Sequence, residues 1–141
     1  MKIMNKKLLS ILIVLMSMSL TSCSKKDDVV IDSRDQFVST YDINETYIVN
    51  GTTYTGHYSM TISKSAQDPT VILLSNFAGF TTPIIVTAVV SGTKFSIAQQ
   101  TVQGSGFSGS GTISGSNLSF SYQQSLTGTG LWNVSATGTK M

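Results

Sequence analysis

A chain of 141 residues has room for one domain. Its nine Lys and Arg face seven Asp and Glu. Beyond residue 35 only Lys64, Lys94 and Lys140 remain against Asp42, Glu45 and Asp68. So sparse and balanced a charge excludes a nucleic-acid footprint and argues against a carboxylate metal cage, and one Cys with one His excludes a disulfide framework or a Cys/His zinc site.

The first element is an address. Lys2, Lys6 and Lys7 precede an apolar run at residues 8–20. A helix of that length rises about 20 Å at ~1.5 Å per residue, short of the ~30 Å hydrocarbon core of a bilayer. The run therefore has the form of a secretory leader over residues 1–22. It ends in Leu20-Thr21-Ser22-Cys23, which resembles a bacterial lipobox. That resemblance implies cleavage before Cys23, acylation of its thiol, and attachment to the outer membrane through acyl chains. Lys25, Lys26, Asp27 and Asp28 follow. A basic pair and an acidic pair at this place resemble the surface-export signal of Bacteroidetes lipoproteins; the other reading is a solvated tether without an address. Residues 23–35 are expected as a charged, mobile tether.

Residues 36–141 hold 33 Ser and Thr and all 12 glycines. Alternation distinguishes them from a disordered linker. Phe37, Tyr41 and Ile43 share a parity, as do Tyr54, Tyr58, Met60 and Ile62. Leu118, Phe120 and Tyr122 alternate with Ser119, Ser121 and Gln123, and Trp132, Val134 and Ala136 with Asn133, Ser135 and Thr137. Period two with hydroxyl side chains outward predicts half-buried antiparallel strands. Eight are expected, over 36–46, 53–64, 70–77, 84–91, 94–100, 107–114, 117–124 and 131–139. Gly92 and Gly115 mark tight hairpins, and Asn50-Gly51 a longer turn. The fourth strand is apolar on both parities, so its outer face is expected to be covered or to meet a partner. With no helix to cover a sheet, the strands must close on themselves or fold into a sandwich, and successive hairpins favour an all-β, eight-stranded up-and-down barrel. Its polar exterior excludes a transmembrane barrel.

Arg34-Asp35-Gln36-Phe37-Val38-Ser39-Thr40-Tyr41 resembles the opening strand of small lipocalin-like, calycin-type barrel lipoproteins of the Bacteroidetes. The segments at 71–77, 86–97 and 109–120 extend the likeness over most of residues 34–139. It implies the barrel fold and no particular activity. Lipocalins proper often carry Gly-x-Trp on the first strand; this chain has Val-Ser-Thr-Tyr there, so no functional residue is carried over.

The residues offer little for catalysis, and no enzyme activity or cofactor is expected. His57 lies on the outward parity of the second strand, away from a nucleophile to activate. Asp42 and Glu45, three apart, fall on opposite faces of a strand and read as solubilising charges. Gly104-Ser105-Gly106 and Gly109-Ser110-Gly111 lack the Lys and the helix of a phosphate loop; Gly109 and Gly111 instead let the wall bend or approach a neighbour. Phe37, Tyr41, Tyr58, Phe95, Phe107, Phe120, Tyr122 and Trp132 form the expected inward set.

The loop at 76–83 carries Phe77 and Phe80. Apolar rings there either plug a barrel end or form a recognition surface. Phe77 and Phe80, with Tyr47 and Tyr54, are the candidate contacts for a ligand or partner. Two functions remain open: a surface-tethered module for a small apolar or glycan-like ligand, or a protein-interaction module such as a protease inhibitor presenting barrel loops.

Overall fold

Alternation along the chain becomes eight strands: β1 (Ser39–Val49), β2 (Thr52–Lys64), β3 (Val71–Ser75), β4 (Ile85–Ser91), β5 (Lys94–Val102), β6 (Ser105–Ser114), β7 (Asn117–Leu126) and β8 (Gly130–Lys140). A 3₁₀ turn, Phe77–Gly79, interrupts the β3–β4 connection. The computed structural model describes residues 30–126 and 130–141. The expected leader, Cys23 and the charged run at 25–28 lie outside the described residues. By its contacts the chain divides into residues 1–30 and 31–141, and the strands above all belong to the second unit.

Each strand pairs antiparallel with the next, and β8 returns to β1, with Tyr41 opposite Lys140 and Tyr47 opposite Val134. The sheet is thus a closed up-and-down barrel, without free edges. Odd-numbered strands run toward one end. There lie the turn at 50–51, the loop at 76–84 and the turn at 103–104. The arriving chain, the loop at 65–70, the turns at 92–93 and 115–116 and the C-terminus share the other end.

Inward positions carry the core. Tyr41, Ile43, Met60, Ile62, Leu74, Phe107 and Leu118 are buried, each contributing roughly 1.5–3 kcal/mol by the usual area relation. Large residues face small ones along the wall: Phe120 lies between Gly111 and Ala136, Tyr122 between Gly109 and Val134, and Leu118 faces Gly138. The outward parity of β6, β7, β8 and β1 forms registered rows of short polar side chains, such as Ser110–Ser121–Ser135–Thr46. On β4 the outward Ile85 and Val89 are exposed, and nothing in the described residues covers them. The β4–β5 ladder joins only Val89, Val90 and Ser91 to β5. Beyond it the side chain of Gln100 substitutes for a strand: Thr87 N donates to Oε1 (3.1 Å), and Nε2 donates to the Thr87 carbonyl (2.8 Å).

Two expectations are corrected at the closed end. The first strand begins at Ser39 rather than residue 36, because residues 33–37 form a turn. The Phe37 amide donates to the Arg34 carbonyl (2.9 Å). The Phe37 ring caps the core from this turn, edge-on to Phe95 (5.9 Å, 86°), and the Tyr41 hydroxyl donates to the Phe37 carbonyl (2.8 Å). Nor are residues 32–35 a mobile tether. The Arg34 guanidinium donates to the carbonyls of Ser65 (3.1 Å) and Asp68 (2.9 Å) and to the Asp32 carboxylate (2.8 Å). Lys64 reaches both Asp32 and Asp35. Backbone acceptors on the 65–71 segment, invisible to strand periodicity, explain why the charges of this stretch are held.

This cluster predicts an acid response. Hydrogen bonds from Arg34 hold the Asp32 carboxyl well below the usual carboxylate range. Its folded pKa is depressed, so its contribution is present above the unfolded value of about 4 and is lost as pH falls from there through the folded value. Amide exchange at residues 32–37 should therefore rise between about pH 4 and pH 2 ahead of exchange in the core strands. Asp32→Asn should raise that exchange at neutral pH and remove the pH step; a wild-type segment equally protected at pH 2 would contradict this.

Candidate functional site

The end opposite the arriving chain holds an open pocket of about 340 Å³. Its walls include Tyr47 of β1, Phe80 and Thr81 of the 76–84 loop, Gln124 of β7 and Trp132 of β8, with Glu45 and Tyr122 deeper in. The order follows from strand parity. Tyr41, Ile43, Glu45 and Tyr47 step up the inner face of β1, from a sealed core to the mouth.

Glu45 is the principal correction to the sequence reading. Asp42 is indeed outward and half-exposed, with its Oδ1 2.6 Å from Nε2 of His57 on the outer wall. Glu45 points inward and is only 8% exposed. Space for it comes from Gly56, the residue opposite on β2; a Cβ there would stand 2.8 Å from Glu45 Cγ. The Tyr122 hydroxyl donates to Glu45 Oε2 (2.9 Å). The Tyr58 hydroxyl is buried close to Glu45, Tyr122 and the Ala78 backbone, yet meets none of them in hydrogen-bonding geometry. Burial, reinforced by the neighbouring Glu45 carboxyl, pushes both phenols well above the usual tyrosine range, so both stay protonated. Gln124, 6% exposed, adds an amide at the same level.

Above these polar groups stand aromatic rings. Tyr47 is stacked between Tyr54 (5.5 Å, 14°) and Trp132 (5.7 Å, 6°). Trp132, expected as a fully inward core residue, is half-buried at the mouth because it lies one inward step before the buried Val134 and two before Ala136 along β8. Tyr54 shares the inward parity of β2 but lies beyond the barrel wall, exposed at the rim.

The 76–84 loop unites its two expected roles in different residues. Phe77 has no exposed surface and is packed on Tyr122 (4.7 Å), Phe107 (5.6 Å) and Phe120 (6.1 Å). It is the plug, which removes it from the candidate contacts. Phe80 is half-buried, edge-on to Phe107 (6.1 Å, 89°), and forms mouth wall. Three positive φ angles make the loop double back: Asn76 (61°), Ala78 (58°) and Gly79 (58°). Ala78 is the costly one, at about 1–2 kcal/mol for a residue with a Cβ in the left-handed region. The loop is held by Asn76 Nδ2 donating to the Ser59 carbonyl (2.7 Å) and by Gly79 lying against the Tyr58 ring, where a Cβ would come within 2.9 Å. Strain retained at the rim of a pocket is a mark of a functional loop.

A larger depression of about 760 Å³ runs along the outer wall over β4–β8. Short side chains such as Ser96, Ser110, Ser121 and Ser135 create it, and it holds none of the buried polar side chains. Among the described residues no group of three His, Cys, Asp or Glu side chains is placed to hold a metal ion, and no helix is long and apolar enough to cross a membrane. The mouth, with its buried carboxyl, two phenols, amide and ring stack, is the place in the barrel where polar and aromatic groups converge. In comparisons with known proteins, no family model and no curated protein matches this chain.

Proposed function

We propose that this chain is a non-catalytic, lipid-anchored binding module of the outer cell surface that takes a small ligand into the barrel mouth. The observation that carries this reading is the convergence of Glu45, Gln124 and the Tyr47–Trp132 ring pair on one open pocket above a sealed core. Small-ligand sites combine apolar and aromatic walls with a few polar groups that fix orientation. The anchored part rests on the Leu20-Thr21-Ser22-Cys23 run, which resembles a lipobox. The charged run at Lys25, Lys26, Asp27 and Asp28 is the proposed export signal.

A protein partner is the second reading, favoured by one observation. Ile48 and Leu131 are more than half exposed and Tyr54 nearly so. They flank the mouth end of β1, β8 and β2.

Trp132 is the sole tryptophan, so its emission reports on the mouth. Native mass spectrometry of protein taken from its own membrane should show a bound small molecule, and its release should shift that emission. Phe80→Ser should release the molecule while costing only ~1–2 kcal/mol, because the ring is half-buried. Loss of a captured protein from an Ile48→Ser, Leu131→Ser double variant, with no small molecule ever present, would support the second reading instead.

A further inference from the structure

We infer that the ligand of the mouth carries a positive charge, an organic ammonium group, with Glu45 as its counter-ion. The inference rests on the mouth being the binding site.

A buried ionised carboxyl is costly unless paired. Glu45 is 8% exposed and receives one neutral hydrogen bond, from Tyr122. No ion pair reaches it among the described residues, whose Lys and Arg side chains lie elsewhere. Arg34 and Lys64 serve Asp32 and Asp35 at the closed end. Lys140 donates to the Gln36 carbonyl, His57 pairs with Asp42 on the outer wall, and Lys94 opens β5 at the closed end. The barrel thus keeps an acidic group under its pocket without supplying a cation for it.

The pocket walls suit the missing partner. Tyr47, Phe80 and Trp132 line it, and aromatic rings attract cations through the negative potential of their faces, most strongly when water is excluded. Acceptors are also at hand for an ammonium that bears protons: the Glu45 oxygens and the Gln124 side-chain carbonyl, both on residues that line the pocket. A neutral sugar would satisfy the rings and the amide and could donate hydroxyls to the carboxyl, but would leave it without a counter-ion. A volume of about 340 Å³ admits a head group of this kind with a short chain.

Matched probes test the charge. Choline and its uncharged isostere 3,3-dimethylbutan-1-ol form one pair, and butylammonium and butan-1-ol another; the two pairs separate a quaternary from a primary ammonium. Binding is read by Trp132 emission in the full-length, lipid-anchored protein. At least one cation should bind about tenfold or more tightly than its isostere. Glu45→Gln should reduce that preference to about twofold, and Glu45→Asp should retain part of it. If Glu45→Gln fails to fold, the cation-to-isostere ratio in the wild type decides alone. Equal binding of cation and isostere in both pairs overturns the inference and leaves the mouth as an apolar site. So does binding of a methyl glycoside, seen by the same emission change, when neither cation binds. If none of these probes moves Trp132, both the charge assignment and the mouth reading fall.

Discussion

Phe77→Ala is expected to destabilise the barrel by about 3–5 kcal/mol, the range for removing a fully buried phenylalanine. Phe77 has no exposed surface and meets three rings of the core, those of Tyr122, Phe107 and Phe120. Its surroundings cannot close over the gap easily. The backbone on either side is set by the left-handed residues Asn76 and Ala78, and the opposing rings stand on strands paired along their whole length. The lost ring also sits beneath the mouth, next to the tyrosine that holds Glu45. Ligand affinity should therefore fall with stability in Phe77→Ala, whereas in Phe80→Ser affinity should fall with much less change in the melt. Urea unfolding of both variants, beside the Trp132 binding assay, checks the contrast. A loss under ~1 kcal/mol in Phe77→Ala would mean that the 3₁₀ turn can swing another group into the core.

The barrel was legible in the sequence because its causes are local. Alternation assigns faces, Gly92 and Gly115 force hairpins, and eight strands joined in succession with one apolar face favour closure as the way to bury it. The aromatic mouth was legible in part: Tyr47 and Phe80 could be named from parity and from a loop too apolar to stand in water. Parity, however, assigns a face and not a height along the barrel axis. Trp132 and Phe120 share the inward face, yet one is at the rim and the other in the core. Glu45 escaped for a related reason. Its inward direction follows from Tyr41 and Ile43, but its tolerance there depends on Gly56 across the ladder and on Tyr122, 77 residues away. A glycine facing an inward acid is the signal that could have revealed it. Residues 32–35 were misjudged because backbone carbonyls of another loop, which no side-chain pattern encodes, hold Arg34 in place.

Gly109→Ala is expected to cost about 2–3 kcal/mol, through overpacking rather than through backbone conformation. The position has no left-handed φ, so alanine is compatible with its dihedrals. The obstacle is the neighbouring strand. A Cβ at residue 109 would stand 2.8 Å from Tyr122 Cα and closer still to the Ser121 carbonyl oxygen. These are backbone atoms in a continuous β6–β7 ladder, so relief requires the strands to part rather than a rotamer to turn. Gly115→Ala supplies the control. It sits at φ 59° with open space around its Cβ, so it should lose only the ~1–2 kcal/mol of the left-handed penalty. The two variants also differ in where the loss is felt. Gly109 faces Tyr122 across the ladder, and displacing β7 there moves the hydroxyl that donates to Glu45. Gly109→Ala should thus weaken cation binding at the mouth, while Gly115→Ala, at the closed end, should leave it unchanged. Denaturation midpoints and Trp132 titrations of the pair test this. If the two alanines cost the same and neither alters binding, the close approach of β6 to β7 does not support the mouth.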